Sequence, residues 1–207
     1  MISFIIPTKN EEIIIRETLE CLKKYSGAHE VIVSDGKSTD STIEIAKSLS
    51  DKVVVYEGEK RQTIGGGRNA GAKIASGEYL VFVDADVTIP DINNFFEKAI
   101  KHFENNKKLV ALTVQYKVLS KYESLADKII FKILSANFVL FNNLLHIGVS
   151  GGEFQMIKRT VFEELSGFDD TLVAAEDCDM FARLARVGRT YCDMSLVVYH
   201  TGRREHK

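Results

Sequence analysis

The sequence predicts a single-domain α/β protein with a mostly parallel sheet flanked by helices. In the first half of the chain, short apolar segments rich in β-branched residues alternate with longer segments of helical periodicity. Continuous apolar strands of this kind are typical of parallel sheets that helices cover on both faces. The 207 residues suffice for one domain with a sizeable core, and no internal repeat or linker divides them.

Four strands and three helices are predicted in the first half. The strand segments are Ile2–Ile6, Glu30–Ser34, Val53–Tyr56 and Tyr79–Val83. The helical segments are Glu11–Tyr25, Thr39–Leu49 and Thr63–Ala75. Asn10 is the predicted N-cap of the first helix. This β-α-β order favours a doubly wound arrangement in which the four strands run parallel.

The second half is less regular. Its predicted helices are Asn93–Phe103, Arg159–Leu165 and Asp177–Val187, and its predicted strands are Leu109–Tyr116 and Leu196–Tyr199. A long apolar segment lies between them at Ser124–Leu145.

The segment Leu125–Ile147 holds more Ile, Leu and Phe than one core-facing stripe requires. Polar side chains interrupt it, so a transmembrane span is not predicted: Lys132, Asn137, Asn142, Asn143 and His146. Three interpretations stay open, namely a helix buried within the domain, a helix at a membrane surface, and a contact between subunits of a homo-oligomer.

Composition excludes several classes of function. The formal net charge is -2, and the only short basic cluster is the tail with Arg203, Arg204 and Lys207, so a nucleic-acid binder is not expected. The three cysteines form no C-x-x-C pair, which argues against a disulfide framework or a thiolate zinc site and favours a cytoplasmic protein. The first residues predict a strand rather than a signal peptide.

Asp84 and Asp86 follow the predicted strand Tyr79–Val83 directly. Ligands of open α/β sheets gather at the carboxyl ends of the strands. Two carboxylates so close repel each other unless a positive charge lies beside them, and a hard divalent cation such as Mn²⁺ or Mg²⁺ suits this position. Such an ion could bridge diphosphate oxygens. The alternative is a solvated acidic turn.

Two further turns are expected at the same sheet edge. Pro7, Thr8 and Glu11 follow the first strand, and Asp35 follows the second. Asp35 could accept a hydrogen bond from a nucleotide base or ribose, or could serve only to form the turn. The glycines Gly65–Gly67 are interpreted as freeing the backbone near a ligand, with Arg68 as a planar donor to a nucleotide. A surface turn with a solvated arginine is the alternative.

A second acidic pair, Glu176 and Asp177, opens the amphipathic helix near the carboxyl end of the chain. Either the pair offsets the helix dipole, or one carboxylate faces the cleft as a general base. A base of this kind would remove the proton from an attacking hydroxyl.

Together these motifs resemble the inverting glycosyltransferases of family 2, which have the A-type (GT-A) fold. The resemblance runs from Ser3 to about His200 and follows the family's order: "SFIIPTKNE", "VIVSDGKSTDST", "GGGRNAGAKIASGEYLVFVDAD", "GGEFQMIKRTVFEELSGFDD" and "EDCDMFARLARVG". It implies transfer of one sugar from a UDP- or GDP-sugar donor to an acceptor hydroxyl. Lipid-linked molecules and polysaccharides are candidate acceptors, and a protein without a membrane span could work peripherally on the inner face of the membrane.

The resemblance also implies roles for individual residues. The expected nucleotide-binding residues are Pro7, Thr8, Glu11, Asp35, Arg68 and Asp84. The expected metal ligands are Asp84 and Asp86, with His200 as a third ligand because several family members have a histidine after the last core strand. Asp177, with Glu176 beside it, takes the position of the catalytic base, and Gly151 and Gly152 that of the donor and acceptor loop. Residues 1–90 would form the nucleotide-sugar-binding half, and 91–207 the acceptor-binding and catalytic-base half.

One departure from the family pattern concerns processivity. Glu153-Phe154-Gln155 replaces the aromatic-rich acceptor pattern of the polysaccharide synthases, and no Q-x-x-R-W motif is present. The sequence therefore favours transfer of a single sugar.

Two rival functions remain. A sugar-phosphate nucleotidyltransferase would open with a glycine-rich loop where this chain has Pro7 and Thr8. Such an enzyme would release pyrophosphate from a nucleoside triphosphate and a sugar phosphate. The other rival is a membrane-associated scaffold that binds nucleotides without catalysis, and any transfer or hydrolysis of a nucleotide sugar would exclude it.

Overall fold

The computed structural model describes residues 1–202 and contains a seven-stranded sheet. The strands are β1 (Ile2–Thr8), β2 (His29–Asp35), β3 (Lys52–Val55), β4 (Tyr79–Val83), β5 (Leu109–Val118), β6 (Phe154–Lys158) and β7 (Arg189–His200). The helices are α1 (Ile15–Leu22), α2 (Thr42–Leu49), α3 (Ile64–Lys73), α4 (Ile92–Asn105), α5 (Leu125–Val139), α6 (Arg159–Glu164) and α7 (Glu176–Val187). A π-helix at Leu140–Leu144 continues α5. The basic tail with Arg203, Arg204 and Lys207 lies outside the described residues.

The strand order is β3-β2-β1-β4-β6-β5-β7. β6 runs antiparallel to its neighbours β4 and β5, and the other paired strands run parallel. The carboxyl ends of β1, β2 and β4 therefore meet at one edge of the sheet, together with the amino end of β6. The prediction of an α/β domain with a mostly parallel sheet is confirmed.

Hydrophobic side chains cover both faces of the sheet, because consecutive residues of a strand point to opposite sides. Phe4 and Ile6 of β1 join the larger buried cluster, which includes Leu19 of α1 and Phe96 of α4. Ile5 joins the smaller cluster with side chains of α6 and α7. The continuous apolar run of β1 reflects this burial on two sides.

β6 is the strand that the sequence analysis missed. Gln155 interrupts its apolar pattern, and glycines precede it, so its sequence predicts no strand. In the structure Gln155 is fully buried, while Phe154 and Met156 pack into the larger cluster. β7 is also longer than the predicted Leu196–Tyr199, because a register shift opposite Val114 and Gln115 lets it continue through polar residues.

The prediction of Asn10 as a helix N-cap is wrong. α1 begins at Ile15, after a residue whose side chain makes no capping hydrogen bond. Asn10 has a positive φ of 55°, and its side-chain oxygen accepts a hydrogen bond from the Thr39 backbone N–H at 2.9 Å. It therefore ties together the turns that follow β1 and β2.

The segment 125–147 is only half buried. Asp127, Phe131, Ser135 and Phe138 face the protein, and the opposite side of α5 is exposed. The interpretation of this segment as a helix buried within the domain is therefore correct only for the face of α5 that carries these four residues. No helix within residues 1–202 is long and apolar enough to cross a membrane.

Candidate active site

A cavity of about 410 Å³ opens at the edge where β1, β2 and β4 end. Its size falls in the range of small-molecule sites, which is roughly 300–1,000 Å³. Its walls come from the end of β1 and the turn after it, from β2, from the start of α3 and the residues before that helix, and from the first residue after β4. The lining residues are Pro7, Thr8, Lys9, Glu11, Ser34, Arg61, Gln62, Thr63, Ile64, Gly67 and Asp84. The lining residues all belong to 1–90, the half predicted to bind the nucleotide sugar.

Four predicted nucleotide-binding residues lie on the wall of this cavity, namely Pro7, Thr8, Glu11 and Asp84. Parallel pairing explains why they meet, since Thr8 is in register with Asp35 and the strand before Asp84 pairs with β1. Asp35 lies behind the wall. Its carboxylate is fully buried and accepts hydrogen bonds from Thr8 Oγ1 at 3.1 Å and from the Ser38 hydroxyl and N–H at 2.6 and 2.7 Å. Its contact with a nucleotide stays a prediction.

Arg68 is almost completely buried, at 1% exposure, so it is not the solvated arginine of a surface turn. Its Nη1 donates to Glu176 Oε1 at 2.8 Å, and its Nη2 donates to Asp84 Oδ1 at 3.4 Å and to the Gly152 carbonyl at 3.1 Å. The guanidinium also lies 5.3 Å from the centre of the Phe168 ring. One side chain thus joins the start of α7, the end of β4 and the loop before β6.

The two acidic residues that open α7 have different surroundings. Glu176 is 5% exposed and is paired with Arg68, whereas Asp177 is partly exposed. Asp177 lies beside the loop before β6, since a Cβ added to Gly152 would be 3.6 Å from Asp177 Oδ2. Burial, aided by the Asp177 carboxylate, raises the pKa of the neighbouring Cys178 thiol to about 11. This shift favours the thiol form of Cys178 over the thiolate.

The loop with Gly151 and Gly152 lies beside Arg68 and Asp177. A Cβ at Gly152 would lie 2.7 Å from Arg68 Nη2, and one at Gly151 would lie 2.7 Å from the Tyr116 ring. A side chain at either position would have to displace its neighbour, Arg68 or Tyr116, whereas glycine fits without a shift. The Tyr116 hydroxyl lies 3.1 Å from the Gly151 carbonyl and 2.9 Å from the Phe154 carbonyl, which holds the loop against β5.

The glycines Gly65–Gly67 do not free the backbone, so that interpretation is wrong. They lie within the first turns of α3, whose N-cap Thr63 accepts a hydrogen bond from Gly66 N at 3.0 Å. The lack of side chains lets α3 pack closely on its neighbours. A Cβ at Gly65 would lie 3.3 Å from the Asp169 carbonyl, and one at Gly67 would lie 3.5 Å from Pro7 Cβ.

The three predicted metal ligands each contact a different side chain or backbone group. Asp84 contacts Arg68, and Asp86 Oδ2 accepts hydrogen bonds from the Thr201 hydroxyl and N–H. His200 is buried next to Thr201, where its ring packs on Phe131 at 4.8 Å and its Nδ1 accepts from Gly202 N at 3.3 Å. Residues 1–202 contain no ready-made group of three or more His, Cys, Asp or Glu side chains able to hold a metal ion.

The donor set nevertheless fits a hard divalent cation that takes some of its ligands from a diphosphate. Two carboxylates stand on one turn, and carboxylate oxygen is a common ligand of Mg²⁺ and Mn²⁺. Thr88 and Tyr199 exchange backbone hydrogen bonds of 2.8 and 2.9 Å, which brings the segment after Asp86 alongside the end of β7. The assignment of Asp84, Asp86 and His200 as ligands stays a prediction.

Sequence reasoning missed part of the cavity wall, notably Lys9, Arg61, Gln62 and Thr63. Lys9 and Arg61 are the cationic members of the wall, which also contains the acidic Glu11 and Asp84. A basic side chain on the wall can attract an anionic group such as a diphosphate. Thr63 could have been found as an N-cap, because it precedes a helical segment. Arg61 and Gln62 stand in a polar segment without periodicity, which has no comparable signal.

Comparison with known proteins identifies the family. The profile of Glycosyl transferase family 2 matches residues 3–166. The O-antigen chain rhamnosyltransferase of Salmonella typhimurium is 28% identical over 216 residues, which covers 95% of this chain and 65% of that protein. The chain thus spans less than two thirds of the length of this relative.

Two solved structures share the fold. A mannosyltransferase from Pyrobaculum calidifontis, solved with GDP-Man and Mn²⁺, superposes with a TM-score of 0.75 at 22% identity and covers 97% of this chain and 56% of its own. Glucosyl-3-phosphoglycerate synthase from Mycobacterium tuberculosis was solved with Mn²⁺, UDP and glucosyl-3-phosphoglycerate. It gives a TM-score of 0.67 at 22% identity, and the match covers 97% of this chain and 71% of that protein. The fold is therefore that of the A-type glycosyltransferases, and the family match shows that the chain belongs to glycosyl transferase family 2.

Proposed function

We propose that this chain moves one sugar from a UDP- or GDP-sugar to an acceptor hydroxyl, with inversion at the anomeric carbon and with the help of Mn²⁺ or Mg²⁺. The observation that carries this proposal is the arginine bridge between the two acidic motifs. Arg68 contacts Asp84, on the wall of the cavity, and Glu176, next to the candidate base Asp177. This contact supports a donor site and a proton acceptor that lie side by side.

The cavity suits the nucleotide part of the donor. Pro7, Thr8 and Glu11 line it at the ends of the first strands, where ligands of α/β sheets bind. Lys9 and Arg61 add positive charge for the diphosphate. The choice of UDP or GDP is supported by the two structural neighbours, which were solved with GDP-Man and with UDP.

Asp84, Asp86 and His200 would hold the divalent ion, whose positive charge would stabilise the departing diphosphate. The acceptor oxygen forms a bond to the anomeric carbon as the bond to the diphosphate oxygen breaks, and the electron pair leaves with the diphosphate. The acceptor proton passes to a carboxylate. Asp177 suits this role better than Glu176, because Glu176 is already engaged by Arg68.

Transfer of one sugar, rather than polymerisation, is supported by the last residue of the loop before β6 and the first two residues of that strand. Glu153, Phe154 and Gln155 stand where processive enzymes have aromatic residues, and Phe154 and Gln155 are fully buried within β6. A growing polymer would therefore meet no stacking surface at these positions. A lipid-linked molecule or a polysaccharide is proposed as the acceptor, with lipid favoured by the exposed apolar face of α5.

Donor binding can be measured before the acceptor is known. Thermal unfolding would be followed with UDP, GDP and other nucleoside diphosphates, each with Mn²⁺, Mg²⁺ or a chelator. A ligand at a hundred times its Kd should stabilise the chain by about 2.7 kcal/mol. Asp86→Ala should remove the metal-dependent part of this effect, whereas Asp40→Ala, which changes an aspartate outside the cavity, should not.

Catalysis would be tested by release of the nucleoside diphosphate from a panel of UDP- and GDP-sugars. Transfer or slow hydrolysis of any donor, lost on Asp86→Ala, supports the proposal. Binding without turnover across the panel would instead support the scaffold. Release of pyrophosphate from a nucleoside triphosphate and a sugar phosphate would support the nucleotidyltransferase.

A further inference from the structure

The outer face of α5 and the π-helix carries a row of exposed apolar side chains. Leu125, Ile129 and Ile133 follow one another at four-residue spacing and are 80%, 61% and 57% exposed. Leu140 and Leu144 extend the row along the π-helix. We call these five residues the apolar row. A row of this kind differs from the single exposed apolar side chains that are scattered over most protein surfaces.

The fold holds this row outward by packing the other side of α5. Phe131 and Phe138 are buried in the larger hydrophobic cluster. The helix start is fixed by a capping box, in which Ser124 and Asp127 exchange side-chain and backbone hydrogen bonds. The apolar row therefore cannot turn inward without breaking these contacts.

The exposed charged side chains of α5 are all positive. Asp127 is the only acidic residue of 125–144, and it is buried. The exposed charged residues of this segment are Lys128 and Lys132, one turn apart on the flank of the apolar row. This arrangement contrasts with the whole chain, whose formal net charge is -2.

A cavity of about 480 Å³ lies beside the same flank. Lys117 joins Lys128 and Lys132 in its wall, together with Tyr199. Glu123 also lines it, and its carboxylate lies 3.5 Å from Lys128 Nζ. Three lysines against one glutamate leave the cavity positive, which suits a phosphate group.

We propose that the apolar row docks on the surface of a bilayer that contains anionic phospholipid, with Lys128 and Lys132 at the level of the headgroups. An apolar stripe flanked by lysines is the pattern of helices that lie in the plane of a membrane interface. Each lysine near an anionic surface adds roughly 1 kcal/mol of attraction. A second copy of the chain is disfavoured as the occupant because it would bring the same excess of lysines against Lys128 and Lys132.

Docking of this kind would place the candidate active site close to the lipid surface. The buried side of α5 contacts the end of β7, where Phe131 packs on His200 at 4.8 Å. The helix lies on the membrane and does not cross it, since α5 has 15 residues and a span needs about 20. The proposal concerns membrane binding alone, so it does not depend on the proposed transfer reaction.

The test is co-flotation of the whole chain with vesicles of phosphatidylcholine alone or of phosphatidylcholine with phosphatidylglycerol. Binding is expected with the anionic vesicles and should weaken as salt rises, because salt screens the lysines. The double variant Ile129→Ser with Ile133→Ser should lower the partition coefficient at least about tenfold, since it removes two apolar side chains from the interface. Lys132→Glu should weaken binding to anionic vesicles only.

Matched controls are Ile13→Ser and Lys47→Glu, which change an exposed isoleucine and an exposed lysine away from α5. Both should bind like the unchanged chain. Circular dichroism melting should show that all variants remain folded. Failure of the unchanged chain to float, or equal binding by the double variant, would overturn the proposal. A stable dimer in sedimentation equilibrium that Ile129→Ser with Ile133→Ser dissolves would assign the apolar row to a second copy instead.

Discussion

Arg68 and Glu176 form a buried ion pair of 2.8 Å across 108 residues of sequence. The pair joins α3, which follows β3, to the first turn of α7, near the other end of the chain. Arg68 also reaches Asp84, so the position of the candidate base depends on the same side chain that contacts the cavity wall. One guanidinium thus joins the cavity wall to the helix turn that carries the candidate base.

Loss of this arginine should destabilise the fold. Arg68→Met leaves the buried Glu176 carboxylate without its cation, which typically costs about 3–5 kcal/mol. The free energy of unfolding would be measured by urea denaturation at pH 7. Arg16→Met is the matched control, because Arg16 and Glu20 form an exposed pair whose loss costs roughly 0–1 kcal/mol. Equal losses for the two variants would show that the buried pair contributes little.

Substitutions of Asp177 and of Glu176 should have different effects on the transfer rate and on stability. Asp177→Asn keeps the size of the side chain but cannot accept the acceptor proton, so the transfer rate should fall about 10²–10⁴-fold with donor affinity unchanged. Glu176→Gln removes the charge that faces Arg68 and should lower stability as well as rate. Rates would come from transfer assays and donor affinity from calorimetry. Normal transfer by Asp177→Asn, with loss in Glu176→Gln at full stability, would assign the base to Glu176.

His200 should influence the choice of metal. Imidazole is a better ligand for Mn²⁺ than for Mg²⁺, so His200→Ala should lower Mn²⁺-supported activity more than Mg²⁺-supported activity. The ratio of the two activities is the measurement, because a general loss of stability cancels in it. Phe131→Ala is the control, since it removes the ring that packs on His200 but keeps the imidazole. If both variants leave the ratio unchanged, His200 has a structural role only.

Glu30 should make the fold sensitive to acid. Burial raises the pKa of its carboxyl, but hydrogen bonds from Lys52, Ser3 and Ser76 outweigh burial and lower the pKa from 4.5 to about 2. A carboxyl whose folded pKa is depressed stabilises the protein fully above its unfolded pKa and loses this contribution as the pH falls. Glu30 should therefore contribute up to about 3 kcal/mol above pH 4.5 that is lost towards pH 2.

The pH dependence would be measured by denaturation between pH 7 and pH 2. Glu30→Gln should be less stable than the unchanged chain at pH 7 and should lose less stability over the acid range. Glu97→Gln is the control, because Glu97 forms an exposed pair with Lys101. Parallel stability curves for Glu30→Gln and the unchanged chain would contradict the assignment.

Several features followed from local sequence alone. The strands β1 and β4 were predicted because their apolar runs are continuous and β-branched, and this pattern depends only on neighbouring residues. The meeting of Pro7, Thr8, Glu11 and Asp84 also followed, since parallel strands bring their carboxyl ends to one edge. The resemblance to the family followed too, because it depends on the order of motifs along the sequence.

Other features depend on contacts between distant residues. Gln155 breaks the apolar pattern of β6, and only the neighbouring strands β4 and β5 make that segment a strand. Arg68 would be solvated in an isolated helix, but α7 and the loop at Gly152 enclose it between carboxylates. The outward direction of the apolar row is likewise set by the burial of Phe131 and Phe138. Such contacts join residues far apart in the chain, so they cannot be predicted from local periodicity or propensity.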